Sequence, residues 1–151
     1  MKDSANRPML RVGNPRLLGA AVVVNYAGHC SADEWRGELL TNADGSRLNN
    51  RASTSLFVLM TCLNGYFADP SNDSLAEALM KAEGGAVAVW ASSAMSLPNY
   101  QSKMNQEFYR QLFSGSPRTI GEAANRAKQA AANGDVRRSW ILFGDPSMRL
   151  R

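Results

Sequence analysis

The sequence predicts an α/β fold: a three-layer αβα sandwich around a mostly parallel sheet. Three observations carry that expectation. Apolar, β-branched runs without polar alternation recur at 20–26, 56–60 and 86–91, as strands covered on both faces require. Capped stretches with helical spacing lie between or after them. Strand and helix alternate along the chain, the order in which crossover helices join parallel neighbours.

The elements follow in order. A polar opening broken by Pro8, Gly13 and Pro15 predicts a flexible arm over 1–13, ordered only by a partner, then a short helical piece before Gly19. The first strand, 20–26, is followed by a polar connection over 31–55 with one helical turn between Asp44 and Asn50. The second strand, 56–60, runs into Thr61-Cys62 and an irregular Gly and Pro segment. Ser74-Leu75-Ala76-Glu77 is a capping box that opens a helix with Leu75, Ala78, Leu79 and Ala82 facing inward, and Gly84-Gly85 stops it.

The third strand, 86–91, ends in Ser92-Ser93. Met104, Phe108, Tyr109, Leu112 and Phe113 then recur at helical spacing over 100–113, a stripe of the kind that usually packs into a core. Thr119-Ile120-Gly121-Glu122 is a second capping box, launching an Ala-rich helix that stops at Asn133-Gly134. The last strand, 139–143, breaks at Gly144-Asp145-Pro146. Ligands in such sheets sit at the carboxyl ends of the strands. That rule puts His29, Cys62, Ser92 and Ser93 on one rim.

The bulk numbers narrow the function. At 151 residues and 44% apolar, the chain is sized for one domain with a real core. Its net charge of +4 is scattered, and the basic end at Arg149 and Arg151 is short, so no nucleic-acid partner is expected. No run approaches the roughly 18 apolar residues a membrane span needs, and the start MKDSANRP has no signal-peptide core. A soluble protein without a membrane partner is the expectation. Two cysteines make no disulfide scaffold, and no CxxC or HxxxH spacing suggests a metal site. A zinc site at His29, Cys30 and Cys62 would still need a fourth ligand or a water, so neither metal nor cofactor is expected.

His29 is the sole histidine, and it follows the first strand as Cys62 follows the second. A thiol attacks as its thiolate, and a free cysteine with a pKa of about 8.5 is mostly protonated at neutral pH. A basic neighbour is what turns it into an efficient nucleophile. If the two strands are parallel neighbours, their ends lie roughly 5 Å apart, and backbone N–H groups beside the two residues form a candidate oxyanion hole. Singly, such a histidine is more often a hydrogen-bonded structural residue and such a cysteine a small hydrophobe. Their occurrence together on one rim is what favours chemistry.

The blocks VNYAGHCS, TCLNGYF beginning at Thr61, SLAEALMKAEGGAVAVWASS and SWILFGDPSMRLR resemble, in this order, the gingipain-type cysteine peptidases of the caspase-like clan. The resemblance runs from about Leu18 to the end. It implies a caspase-like sandwich over 14–151 in which His29 is the general acid/base and Cys62 the nucleophile, cleaving peptide bonds through a thioester. It also implies oxyanion donors in the N–H groups of Cys30 and Cys62. Trp90, Ser92 and Ser93 become candidate substrate contacts, with a core aromatic as the alternative for Trp90.

Two departures stand out. The family's His-Gly is here His29-Cys30, so a side chain enters space that glycine leaves open. The caspase-like sheet also carries strands upstream of the histidine strand that the polar opening is not expected to supply. The expectation is therefore a partial domain lacking the first strands, with Val22, Val23 and Val24 as an exposed apolar edge. That edge is predicted to pair with a second copy or a complementing N-terminal fragment. A cysteine endopeptidase acting on peptides or proteins, or its C-terminal portion, is the first functional reading. A catalytically inactive remnant that oligomerises or binds proteins is the alternative. Proximity of Cys30 to Cys62 raises the further prospect of a disulfide that disables the nucleophile. The resemblance implies a bacterial, typically exported family, and the compartment of this chain stays open.

Overall fold

Residues 21–49, 54–114 and 118–150 are described by the structure, a computed structural model. The expected arm over 1–13 and the helical piece before Gly19 lie outside the described residues. Four strands, β1 (Val23–Ala27), β2 (Ser55–Met60), β3 (Ala86–Ser92) and β4 (Trp140–Gly144), form one sheet in the order β1-β2-β3-β4. The β1–β2 and β2–β3 pairs are parallel, and β4 closes the far edge antiparallel to β3.

Successive strand residues point to opposite faces, and both faces are covered. Leu56, Val58, Met60, Ala88 and Trp90 pack against Met104 and Phe108 of α3 (Pro98–Leu112) and Ile120, Ala123 and Ala127 of α4 (Ile120–Ala130). Phe57, Leu59, Val89 and Ala91 pack on the opposite side against Leu75 and Leu79 of α2 (Leu75–Lys81), with Trp35, Leu40 and Leu48. Helices on both faces make the three-layer sandwich. α1 (Asn42–Gly45) is the expected turn in the polar connection, displaced slightly toward the N-terminus.

The local signals act as read. Ser74 Oγ accepts from the Glu77 N–H, and Glu77 accepts from the Ser74 N–H at 2.9 Å; Thr119 and Glu122 repeat the arrangement at α4. Each cap satisfies helix-end donors that otherwise have no intrahelical partner. Other expectations need correction. The α4 helix stops at Ala130, and Asn133 starts a further helix, α5 (Gly134–Ser139), by accepting from the N–H groups of Asp135 and Val136. Phe113, expected on the packed stripe, lies just past α3 and is 63% exposed.

The strand β1 differs most from its expectation. It begins at Val23, and its pattern is only half buried, whereas all of β2 is buried. The reason is position: β1 has a partner on one side among the described residues, while β2 is flanked by β1 and β3.

Candidate active site

The last β1–β2 pair in register is Ala27 with Met60, so His29 and Cys62 each stand two residues beyond it. Neighbouring strands run roughly 4.8 Å apart, and the Gly28 N–H adds one more rung to the Met60 carbonyl at 3.3 Å. His29 and Cys62 consequently both line one cleft of about 460 Å³.

Behind β1 the chain folds into a small hairpin. The His29 carbonyl accepts from the Tyr26 hydroxyl at 3.0 Å and from the Arg36 N–H at 2.9 Å. Tyr26 stacks on Trp35, ring centroids 4.2 Å apart, and Trp35 is buried in the core. Gly28 is needed for this closure, because a Cβ there would stand 2.7 Å from the Tyr26 hydroxyl. Burial pushes the Tyr26 phenol pKa upward, so it stays protonated and able to donate.

Behind β2 the turn is tighter. Leu63, directly after Cys62, has φ 63, a left-handed conformation that costs an L-residue roughly 1–2 kcal/mol. Neighbouring bonds hold it: Leu63 N–H to the Ala94 carbonyl at 3.3 Å, Asn64 N–H to the Cys62 carbonyl at 2.8 Å and Gly65 N–H to the Ser92 carbonyl at 2.8 Å. Gly65 allows the last approach, since a Cβ there would lie 3.1 Å from both Ala91 and the Ser92 carbonyl.

Asn64 joins the two turns and was missed in the sequence. Fully buried, it donates from Nδ2 to the Ser31 carbonyl at 2.8 Å and accepts at Oδ1 from the Thr61 hydroxyl at 2.8 Å. Its carbonyl receives the Ala76 N–H at 2.9 Å, and the Leu75 N–H reaches the Ala32 carbonyl at 2.8 Å. The first turn of α2 thus braces both loops. A polar residue in an irregular segment carries no periodic signal, and only its location after the Thr61-Cys62 pair could have drawn attention to it.

Cys30 stands beside the candidate nucleophile. Its thiol donates to the Cys62 carbonyl, and burial pushes its pKa up to about 11. It is a neutral donor at pH 7. Cys30 and Trp35 form an antiparallel bridge flanked by the bonds Arg36 N–H to His29 O and Ser31 N–H to Glu34 O. In such a non-hydrogen-bonded pair the Cys30 N–H points away from Trp35, which leaves that bridge no claim on it.

The three residues expected as contacts on the third strand, Trp90, Ser92 and Ser93, do not line this cleft. Trp90 is 1% exposed and stacks on Phe108 at 5.4 Å, so it belongs to the core. Ser92 is fully buried and donates to the Ala94 carbonyl at 2.9 Å, while Ser93 donates from both N–H and hydroxyl to the Ser139 carbonyl. These serines tie β3 to the end of α5. The cleft wall comes from the next stretch, Met95 to Pro98, together with Gln101, Ser102 and Asn105 of α3. Two apolar residues, Met95 and Leu97, just ahead of Pro98 were the available signal.

Among the described residues no three His, Cys, Asp or Glu side chains are grouped closely enough to hold a metal ion, and no helix is long and apolar enough to cross a membrane.

Sheet order, covering helices and the cleft at the strand ends define a caspase-like α/β sandwich. The family model for peptidase family C25 matches residues 14–151, and the chain belongs to that family. Solved structures agree. The chain is similar to one described as the Arg specific cysteine proteinase gingipain R (RGPB), at 25% identity and TM-score 0.79, covering 97% of this chain and 37% of that one. The complex of Porphyromonas gingivalis RgpB pro- and mature domains aligns at 23% identity and TM-score 0.85, covering 97% and 38%. A third, described as a protease, aligns at 20% and 0.79, covering 94% and 38%. The chain thus spans little more than a third of these structures' length. No curated protein matches it.

Proposed function

We propose that the chain carries the catalytic dyad of a cysteine endopeptidase, with Cys62 as nucleophile and His29 as general acid/base. The observation that supports this most is their presence on one cleft at the adjoining ends of two parallel strands. In the reaction His29 takes the Cys62 proton, and the thiolate adds to the carbonyl carbon of a peptide or protein substrate. The N–H groups of Cys30 and Cys62 receive the developing oxyanion. His29 then returns the proton to the departing amine, leaving a thioester. Water, deprotonated by the same imidazole, releases the acid and restores the thiol.

The test is the pH dependence of iodoacetamide alkylation at Cys62, read by peptide mass spectrometry. Activation predicts reaction well below pH 8, lost in His29→Ala, and peptide turnover that Cys62→Ala abolishes while the fold survives. Ordinary thiol behaviour in both proteins would sink the proposal.

A second reading, a non-catalytic module that pairs with a second copy or a complementing N-terminal fragment, draws support from the β1 edge. Val22 there is 53% exposed and Val23 and Val24 are only half buried. Such an edge favours strand addition. This reading predicts association that persists in Cys62→Ala and no turnover by the parent chain.

A further inference from the structure

The Cys30 thiol is a nucleophilic group that the proposed reaction leaves idle. Both cysteines of the chain are free and half buried, and they follow the ends of neighbouring parallel strands. The Cys30 thiol donates to the Cys62 carbonyl, and its side chain is in hydrogen-bond contact with those of Thr61 and Cys62. Just before the pair, the Gly28 N–H on the Met60 carbonyl at 3.3 Å keeps the two segments at sheet spacing. That spacing, roughly 4.8 Å, falls within the roughly 4.4–6.8 Å over which disulfide-bonded Cα atoms lie.

From this contact we infer that Cys30 is a resolving thiol: a peroxide oxidises Cys62, and Cys30 closes a disulfide on it that withdraws Cys62 from the cleft chemistry until a thiol reductant reopens the bond. The inference rests on the peptidase reading for what is switched off.

The order of events follows from the two environments. Cys62 lines the cleft and meets a peroxide that enters it. The Cys62 thiolate attacks one peroxide oxygen, the O–O bond breaks and hydroxide leaves, giving a sulfenic acid. Cys30 does not react first, because it is held protonated at neutral pH: burial and, after it, charge on Cys62 push its pKa up to about 11. Conversion of the Cys62 thiolate into a neutral sulfenic acid removes that charge. Cys30 sulfur then attacks Cys62 sulfur, the S–O bond breaks, and the Cys30 proton leaves with the hydroxyl group as water. Two electrons have passed from the thiols to the peroxide. Closure also shields Cys62 from the next, irreversible step to sulfinic acid.

The experiment treats the reduced protein, freed of reductant, with hydrogen peroxide and maps its peptides by mass spectrometry without reduction. The expected product is the Cys30 peptide joined to the Cys62 peptide within one chain, lighter by two hydrogens. Iodoacetamide labelling of Cys62 should fall about tenfold or more and return after dithiothreitol. In Cys30→Ser the same treatment should carry Cys62 on to sulfinic acid, two oxygens heavier, and dithiothreitol should restore little of the labelling. Sulfinic Cys62 beside a free Cys30 in the parent protein, or a disulfide joining two chains instead, overturns the inference. Loss of the peptidase reading looks different: without peroxide, Cys62 then shows no His29-dependent labelling, whereas the Cys30–Cys62 linkage is still scored by mass.

Discussion

The two loops that meet at the cleft are built on unequal foundations. Cys62 leaves β2, whose residues are all buried between two strands and two helical layers. His29 leaves β1, half buried, with Asn25 and Ala27 exposed. Cys62 is positioned by the interior of the sheet, whereas His29 is positioned by cross-links from its own hairpin and from the Cys62 loop. Those cross-links are the Tyr26 hydroxyl on the His29 carbonyl, the Cys30 thiol on the Cys62 carbonyl, and Asn64 on the Ser31 carbonyl. Placement of His29 therefore depends on the loop that carries Cys62.

The sharpest way to break this comparison is to remove equivalent side chains from the two strands. Leu59→Ala, fully buried in β2, is expected to cost about 2–5 kcal/mol in urea unfolding. Val24→Ala in β1 should cost about 1 kcal/mol, since its site is only half buried. Equal losses would show that β1 is as firmly held as β2.

Next in size is the link itself. Asn64→Leu leaves the Ser31 carbonyl and the Thr61 hydroxyl without their partner, an expected loss of about 1–3 kcal/mol. The change should also erase the His29-dependent part of Cys62 alkylation. Retention of that dependence in a folded Asn64→Leu protein would remove Asn64 as a positioning residue.

Smaller again is Tyr26→Phe, which keeps the stack on Trp35 and deletes one hydrogen bond worth about 1 kcal/mol. Its loss should show more in the pH profile of Cys62 alkylation than in thermal unfolding. An unchanged profile would mean that the hairpin orients His29 without the hydroxyl.

The smallest effect concerns Cys30. Its folded pKa is raised from 9.0 to about 11, so the unfolded thiol ionises first as pH rises. The stabilising contribution is full below pH 9 and falls away between 9 and 11. Iodoacetamide should label Cys30 appreciably only toward the upper end of that window, and Cys30→Ala should flatten the slope of stability against pH there. Ready labelling of folded Cys30 near pH 8 would contradict its burial.

Parts of the molecule with purely local causes were legible. The runs over 56–60 and 86–91 are strands because unbroken apolar residues, with Phe57, Val58, Val87, Val89 and Trp90 among them, suit a pleated surface covered on both sides. The Ser74 and Thr119 boxes start helices because their partners sit three residues away. Placement of His29 and Cys62 at neighbouring strand ends also followed from pattern, since parallel strands align their carboxyl ends. Asn133 shows the limit of local reading: read as a stop, it is the cap of α5. Trp90 shows another, since its strand was evident but the helices on its face were not.

The sequence by itself determined the layer order of the sandwich, the capped helices and the candidate dyad, because each depends on side-chain period or on contacts within a few residues. Only the tertiary structure decided that Trp90 lies in the core, that 95–98 walls the cleft, and that Asn64 ties the two loops together. Those outcomes depend on which surfaces far apart in the chain come to face one another, and a buried amide chooses its partners only after the sheet and helices have enclosed it.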